Sequence, residues 1–326
     1  NGSAFGFVSF IGRVNYNYKD KYLANFTVRS DGSSRFGEEN RFGTFPSGSL
    51  GWRISEEAFL KESNTISNLK LRASFGVIGN ASIGNFTSRS AYSTNDAYNG
   101  RGGIAPAVLG NPDLTWERTT QLNIGLDIGL IDNRFNLSFD AFSKNTTDLL
   151  LAEDIPGNSG YFTIQSNFGE IENRGLEASL NASVLQIGDF QWNSSFNFTF
   201  IENEVIDVIN DGQILSRNFV LKEGLEVSQL NLIRFLGVDP FTGDAVFEDT
   251  NSDGVINLDD RQPVGSGIPT YFGGFTNTFR YKGLALEVFF QFSGGNKIYN
   301  QSRHAFENYG SLQSGIPYGN QNTRSL

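Results

Sequence analysis

Apolar side chains recur at every second position in ten separate segments of the chain. In the clearest segment, residues 122–130, five leucines and isoleucines alternate with Asn123, Asp127 and two glycines. Successive side chains of a β-strand point to opposite faces, so a period of two predicts strands with one apolar and one polar face. The ten predicted strands lie within residues 8–18, 22–28, 47–54, 69–75, 122–130, 135–141, 176–184, 192–200, 275–281 and 284–292.

The connections between these predicted strands alternate strictly in length. Tight connections lie at 19–20, 131–134, 186–189 and 281–283, with a longer one at 55–68 that has room for a helical turn. Long connections span about 31–45, 79–119, 145–170 and 203–270. Soluble sandwiches and barrels also alternate along their strands, but short turns at one end, long loops at the other and strands of about 9 to 11 residues are typical of bacterial outer-membrane barrels. We therefore predict an all-β, transmembrane antiparallel β-barrel with short periplasmic turns and long extracellular loops.

Composition supports this class and excludes others. The 326 residues include 37 Gly, 30 Phe and 11 Tyr but no Cys or Met. No apolar run approaches the ~20 residues that a spanning helix needs, so a closed barrel is the remaining way to cross a bilayer. The net charge of −10, without a basic cluster, argues against nucleic acid as a partner. The lack of cysteine excludes disulfides, thiol catalysis and thiolate metal sites.

Aromatic residues near the ends of the predicted strands fit the interfacial girdle of membrane barrels. The alternative for each of them is an ordinary place in a hydrophobic core. The residues concerned are Tyr16, Tyr18, Tyr22, Trp52, Phe190, Trp192 and Tyr281.

One segment, residues 249–260, follows the pattern of an EF-hand-like calcium loop. Oxygen-bearing side chains stand at loop positions 1, 3 and 5, glycine at 6, an apolar residue at 8 and a carboxylate at 12. Position 12 is Asp rather than Glu, and its shorter reach weakens a bidentate contact. A bound Ca²⁺ would rigidify the long loop 203–270, and the alternative is an acidic turn without metal. The predicted ligands are Asp249, Asn251, Asp253, the Val255 carbonyl, Asn257 directly or through water, and Asp260.

Residues suited to catalysis are sparse. His304 is the only histidine and is expected in an exposed loop, and neither a G-x-S-x-G elbow nor a P-loop occurs. An enzyme is therefore not predicted. The polar face of the strands is expected to line a wet lumen instead, through Asn123, Asp127, Asn136, Asp140, Glu177, Asn181 and Asn197.

A series of short motifs runs through most of the chain. They are GRVNY (12–16), RSDGSSRFG (29–37), TFPS (44–47), LGWRISEE (50–57), LKLRAS (69–74), GN (79–80), GNPDL (110–114), WE (116–117), TTDLL (146–150), GEIENRG (169–175), the calcium-like loop and GGFTNT (273–278). In this order they resemble the C-terminal barrel region of the SusC/RagA family of TonB-linked (TonB-dependent) outer-membrane transporters of the Bacteroidetes.

The resemblance implies a multi-pass outer-membrane barrel of about 22 strands around an N-terminal plug. It also implies energy coupling through TonB, a SusD-like surface lipoprotein as a lid, and import of glycans or peptides too large for porins. Residues 1–326 would then form part of the barrel domain, about ten strands without the plug or the final strands. No substrate-binding residue can be transferred. The alternatives are a complete small outer-membrane barrel acting as an adhesin or enzyme, and a structural subunit of a larger envelope complex.

Overall fold

The computed structural model describes residues 4–98, 100–216, 218–300 and 302. The first ten strands are β1 (Phe7–Tyr18), β2 (Tyr22–Ser33), β3 (Phe42–Arg53), β4 (Ile66–Asn80), β5 (Ala91–Tyr98), β6 (Arg101–Val108), β7 (Glu117–Leu130), β8 (Phe135–Thr147), β9 (Leu150–Asp154) and β10 (Thr163–Asn167). They are followed by β11 (Glu170–Ile187), β12 (Phe190–Asp207), β13 (Gln213–Ser216), β14 (Phe219–Lys222), β15 (Gln229–Leu232), β16 (Phe235–Val238), β17 (Ala245–Phe247), β18 (Gln262–Ser266), β19 (Tyr271–Tyr281) and β20 (Leu284–Gly294).

Helical structure among these residues is short. Single turns of 3-10 helix occupy Ile54–Glu56, Gly157–Ser159 and Leu258–Asp260, and a four-residue α-helix spans Ile209–Gly212. The first of them overlaps the start of the connection 55–68, which has room for a helical turn. No described helix has both the length and the apolar character that crossing a membrane requires.

The main sheet contains ten strands in the order β1-β2-β3-β4-β7-β8-β11-β12-β19-β20. Every neighbouring pair is antiparallel. These ten strands coincide with the ten alternating segments, so the predicted fold class is confirmed.

The pairing register separates a polar face from an apolar face. On β7 and β8, Asp127 lies opposite Ser138, while Leu126 lies opposite Phe139. Residues directly opposite each other share a face, because side chains alternate along both strands. Following the register from β7 through β12 places all seven predicted inward residues on the polar face, together with their cross-strand neighbours. The seven residues thus share one face of the sheet, and their predicted orientation toward a lumen stays a prediction.

The predicted strand length of about 9 to 11 residues is wrong. Strands of the main sheet run from 11 residues in β19 to 18 in β11 and β12. The extra residues lie at the long-loop end, where Glu172 pairs with Glu204 and Asn173 with Asn203. The extension is mostly polar, with Ile171 opposite Val205, and apolar residues do not recur at every second position along it, so it carries no period-two signal. The first long connection correspondingly shrinks to residues 34–41 between β2 and β3.

The other long connections contain strands of their own. Two hairpins form, β5 with β6 and β9 with β10. The segment 203–270, predicted as one long loop, contains a four-stranded sheet in the order β13-β14-β15-β18 and the hairpin β16–β17.

The chain forms two compact units. The first contains the main sheet and consists of residues up to 214, 221–227 and 270–294. The second contains most of the insertion between β12 and β19, and its described residues are 215–216, 218–220, 228–269, 295–300 and 302.

The turn between β1 and β2 shows how the tight connections are made. Lys19 and Asp20 both have φ near 54°, and the Lys21 amide donates to the Tyr18 carbonyl at 3.0 Å. Two successive residues with positive φ define the type I′ geometry that suits the twist of a hairpin. Asn17 supports it by accepting a hydrogen bond from the Asp20 amide at 3.0 Å.

Aromatic rings gather at this same end of the sheet. Tyr18 stacks on Tyr16 and on Tyr22 at 6.5 Å between ring centroids, and Trp192 stacks on Phe279 at 5.7 Å. The predicted girdle residues all lie close to the connections at this end of the sheet, where an interfacial belt is expected.

Glu57 links the turn between β1 and β2 to the connection between β3 and β4. Its carboxylate accepts from Lys21 Nζ at 2.9 Å, from Tyr22 Oη at 2.8 Å and from Trp52 Nε1 at 3.2 Å. The hydrogen bond from Lys21, followed by those from Tyr22 and Trp52, lowers the pKa of Glu57 from 4.5 to about 2. The ionised carboxylate therefore holds the turn after β1 against the connection after β3.

Replacing Glu57 with Gln should lower the thermal unfolding temperature of the full-length protein at pH 7. Because the pKa of Glu57 is lower when the protein is folded, the ionised form contributes stability above pH 4.5, and this contribution is lost as pH falls toward 2. The difference between wild type and Glu57→Gln should therefore shrink over that range. Glu62→Gln, an exposed change on the same connection, is the control. A constant difference at every pH would contradict this role.

Candidate functional site

A charged cluster crosses three strands on the polar face of the main sheet. Arg72 of β4 donates from Nε to both oxygens of Asp127 at 3.2 Å, and from Nη2 to Asp140 Oδ2 at 2.6 Å and Ser138 Oγ at 3.0 Å. Gly125 leaves the room for this arrangement, since a Cβ there would lie 2.5 Å from Arg72 Cζ. One guanidinium thus joins two carboxylates, and the three side chains together keep one net negative charge.

A cavity of about 580 Å³ lies on this polar face toward the long-loop end. The lining includes two charged residues of β2 that pair with each other, and Arg29 Nε lies 2.6 Å from Asp31 Oδ1. The remaining polar lining consists of neutral amides and hydroxyls, from Asn25, Thr27, Ser47, Ser49, Ser74, Asn80 and Gln121. Phe7, Phe45 and Trp116 supply an aromatic edge. These groups suit a neutral, polar ligand that exchanges hydrogen bonds with the wall.

The aromatic edge belongs to a buried cluster at the base of the long loops. Phe36, Phe45, Leu114 and Trp116 form this cluster, and all four are almost fully buried. The Trp116 ring centroid lies 5.1 Å from that of Phe36 and 5.4 Å from that of Phe45. The motifs RSDGSSRFG, TFPS, GNPDL and WE therefore meet in one place. Sequence reasoning missed this cluster, because loop residues carry no periodic signal, and the motifs themselves were the only available indication.

Two motif glycines, Gly37 and Gly79, are required because neighbouring atoms lie too close to leave room for a side chain. A Cβ at Gly79 would overlap the Phe45 ring, and a Cβ at Gly37 would overlap the Pro112 carbonyl oxygen. Any other residue at either position would push the loop base apart, so glycine is required for packing.

Hydrogen bonds join the three connections that meet at this base. Asn40 Nδ2 donates to the Asp113 carbonyl at 3.0 Å, and Asn111 Nδ2 donates to the Gln165 carbonyl at 2.8 Å. Asn167 accepts from the Thr115 amide at 2.7 Å and donates to the Thr115 carbonyl at 2.9 Å. The cavity edge is therefore built on a fixed support rather than on independent loops.

Gly79→Ala should destabilise the full-length protein by about 1–3 kcal/mol, the usual range for adding a methyl group to a packed core. Gly12→Ala is the matched control, because no atom lies within 4 Å of a Cβ built on that strand glycine. Denaturant unfolding of the two variants measures the difference. Equal stability of both variants would show that the Phe45 ring can move aside freely.

The six predicted calcium ligands all lie in one loop of the second unit. Asp249 Oδ2 accepts from the Gly254 amide at 2.8 Å, Asn251 Oδ1 from the Asp253 amide at 3.0 Å, and Asp253 Oδ1 from the Val255 amide at 2.7 Å. Gly254 has φ of +80°, the left-handed conformation that the template requires at position 6. The loop backbone thus follows the predicted turn.

Asp260, at position 12, differs from the expected ligand arrangement. It is fully buried, and its Oδ1 and Oδ2 accept from the Thr250 amide at 2.9 Å and the Asn257 amide at 2.8 Å. These hydrogen bonds, that from Asn257 first, lower the pKa of Asp260. Asp260 therefore closes the loop by itself, which leaves Asp249, Asn251, Asp253, Asn257 and the Val255 carbonyl as oxygen donors for a hard cation.

Two further observations concern metal sites and catalysis. Within the described ranges, no group of three or more His, Asp or Glu side chains is arranged to hold a metal ion. His304 lies outside these ranges, so its predicted place in an exposed loop stays a prediction.

Sequence comparison identifies relatives over most of the chain. Residues 3–226 match the family described as TonB dependent receptor-like, beta-barrel. TonB-dependent receptor P39 of Formosa agariphila is 36% identical over 91% of this chain and 33% of its own length. TonB-dependent receptor SusC of Bacteroides thetaiotaomicron is 32% identical over 90% of this chain and 31% of its own length. The chain thus spans about a third of the length of the curated relatives it matches.

Solved structures agree with the sequence comparison. The structure of the RagAB peptide transporter has a TM-score of 0.85 and 29% identity, and covers 94% of this chain and 35% of the matched chain. The RagAB peptide importer in its 'open-open' state has a TM-score of 0.86 at the same identity and coverage.

These matches decide between the classes that the sequence left open. The relatives named above are receptors and transporters, so the expectation that the chain is not an enzyme is confirmed. The chain belongs to the TonB-dependent receptor-like β-barrel family and is an outer-membrane β-barrel segment of the SusC/RagA type.

Proposed function

We propose that the chain forms part of the wall of a TonB-energised importer that takes up a bulky polar nutrient, a glycan or a peptide. The observation that carries this proposal is the cavity on the polar face, on the side of the sheet where the long connections lie. Its neutral lining and aromatic edge can hydrogen-bond to a sugar or a peptide backbone and pack against its apolar groups.

The charges of the wall favour passage over tight retention. Arg29 is paired with Asp31, and Arg72 with Asp127 and Asp140. A solute on this face therefore meets no unpaired strong charge from these groups, and its contacts are exchangeable hydrogen bonds. Transport needs binding that is favourable enough for entry and weak enough for release.

A SusD-like surface lipoprotein is the proposed partner on the extracellular side. The similarity to SusC and to the RagAB peptide importer supports this part of the proposal. The RagAB importer has been solved in both an 'open-open' and a 'closed-closed' state, which supports a lid that moves. Energy coupling through TonB is proposed on the same family grounds.

Blocking the cavity should reduce uptake by the full-length protein. Ser49→Trp places an indole on the cavity wall, whereas Leu50→Trp, the matched control, places the same group on the apolar face of the same strand. Cells producing each variant are given labelled oligosaccharides and peptides, and energy-dependent accumulation is measured. We expect Ser49→Trp to lower uptake by at least about tenfold, and Leu50→Trp to leave it unchanged. Absence of uptake by wild type, or equal loss in both variants, would contradict the importer.

We also propose that the loop 249–260 binds Ca²⁺ with the modest affinity of extracellular sites, about 10⁻⁴ to 10⁻³ M. The oxygen donors that the loop retains support this proposal. Calcium should then raise the thermal unfolding temperature of the full-length protein, and a chelator should reverse the effect. Asp253→Asn should remove the shift, while Asp244→Asn, in a neighbouring turn, should keep it. An unchanged unfolding temperature in millimolar calcium would refute the site.

A further inference from the structure

Three small side chains form a row across β11, β12 and β19 on the apolar face of the main sheet. Ala182 lies opposite Ser194, and Ser194 lies opposite Asn277. Ala182 and Asn277 are each only 8% exposed. The row is therefore a recess in a face that otherwise carries large apolar side chains.

Aromatic side chains border this recess on both sides. Toward the tight connections, Trp192 stacks on Phe279 at 5.7 Å between ring centroids. Toward the long connections, Phe196 contacts Phe275 edge-to-face at 6.4 Å. Each pair lies directly opposite in the register of β12 and β19, two residues from the row, so it shares the face of the row. The recess is thus a groove that crosses the strands between two aromatic walls.

Asn277 keeps an unused hydrogen-bond donor in this groove. Trp192 Nε1 donates to Asn277 Oδ1 at 2.9 Å. An indole N–H can only donate, so the contact identifies Oδ1 as the acceptor and leaves the amide Nδ2 free to donate. Among the described residues, neither Asn277 Nδ2 nor the Ser194 hydroxyl has a hydrogen-bond partner. Unpaired polar groups are costly in hydrocarbon, so we expect an acceptor from outside the chain.

The groove belongs to the surface that meets lipid. The chain is an outer-membrane β-barrel segment, and such barrels turn their apolar face toward the bilayer. The strands β11, β12 and β19 are each paired on both sides within this chain. Further strands of a longer protein would therefore attach elsewhere, and a plug inside the barrel would lie on the other face. Lipid is the molecule in contact with the groove.

The depth of the groove selects the part of the lipid that it meets. Asn277 lies two residues, about 7 Å along the strand, from Phe279. Aromatic belts mark the boundary between lipid head groups and hydrocarbon. Just inside this boundary, a diacyl phospholipid presents the two ester carbonyls that join its acyl chains to glycerol. These carbonyls accept hydrogen bonds, which is what the two free donors require.

We propose that the groove binds one diacyl phospholipid of the leaflet at the tight-connection end. Asn277 Nδ2 and the Ser194 hydroxyl donate to the ester carbonyls, and Ala182 leaves room for an acyl chain between the aromatic walls. The proposal gives a role to Asn277 of the motif GGFTNT, which the cavity does not use. It rests on the assignment of the apolar face to lipid and is independent of the imported substrate and of the surface lipoprotein.

The test uses the full-length protein, extracted from outer membranes and depleted of lipid in mild detergent. Two probes are titrated, a diacyl phosphatidylethanolamine and its diether analogue, which has the same chains but lacks the ester carbonyls. Native mass spectrometry counts the lipids bound to each protein. We expect wild type to bind one diacyl lipid saturably and about tenfold more tightly than the diether lipid, because two hydrogen bonds are lost with the carbonyls.

Two variants remove the proposed donors in turn. Ser194→Ala should reduce the preference for the diacyl lipid, and the double variant Ser194→Ala with Asn277→Leu should abolish it. Ser194→Ala keeps the hydrogen bond between Trp192 and Asn277, so its result does not depend on the folding of the double variant. Ser195→Ala is the matched control, since it removes the same hydroxyl from the next residue of β12, on the polar face. It should leave the preference unchanged.

The contrary outcomes are distinct. Equal affinity of wild type for the two lipids, or binding without saturation, would overturn the site and leave Asn277 as a partner of Trp192 alone. An equal loss of preference in Ser194→Ala and Ser195→Ala would also overturn it. A wild-type dimer that the double variant converts to a monomer would assign the groove to a second copy of the chain and exclude the lipid. Each of these results would leave the importer standing.

Discussion

The structure depends on one constraint, that a backbone amide or carbonyl facing lipid must be hydrogen-bonded within the protein. The ten-stranded sheet meets it by pairing each strand with its sequence neighbours in the sheet through long, regular antiparallel registers. At the two ends of the order, β1 and β20 each pair with a single described strand. In a bilayer their outer edges need further strands, which agrees with relatives about three times as long as this chain.

The same constraint explains how the polar face is used. The apolar face must carry side chains that are compatible with lipid. The charged cluster and the hydrogen-bonding side chains of the cavity therefore lie on the polar face. There Arg29 of β2 pairs with Asp31, and Arg72 of β4 pairs with Asp127 and Asp140. Neutral amides and hydroxyls, together with the aromatic edge at Phe45 and Trp116, line the cavity on this face. The alternation of polar and apolar side chains along the strands therefore determines both the chemistry of the wall and its insertion into the membrane.

The strands could be predicted because one face of each strand meets water and the other meets lipid. The polarity of the side chains therefore alternates from one residue to the next. The prediction failed where this alternation of polar and apolar residues ends. The extension around Glu172 and Glu204 is mostly polar and has no apolar residue at every second position, so it gave no signal, although the hydrogen-bonded ladder continues through it. The hairpin β16–β17 was missed for the opposite reason, since both of its strands are apolar on both faces and too short to show a period.

Contacts between distant residues could not be predicted from one sequence. Phe36, Phe45 and Trp116 are brought together only when three connections meet, and Glu57 reaches Lys21 only because β1 and β3 both flank β2. Asp127 and Asp140 were correctly placed on the same face, but Arg72 as their shared partner depends on the exact register of three strands. The family motifs marked most of these places without revealing what the residues do there.

The assignment of the two faces is tested most directly by the surroundings of side chains along one strand. This chain contains no cysteine, so single cysteines at 121, 122, 123 and 124 of β7 can carry spin labels in the full-length protein in lipid. We predict that labels at Leu122→Cys and Ile124→Cys are relaxed by oxygen dissolved in the bilayer. Labels at Gln121→Cys and Asn123→Cys should respond to a water-soluble nickel chelate instead. Labels that all respond to one reagent, or that alternate in the opposite sense, would contradict the account.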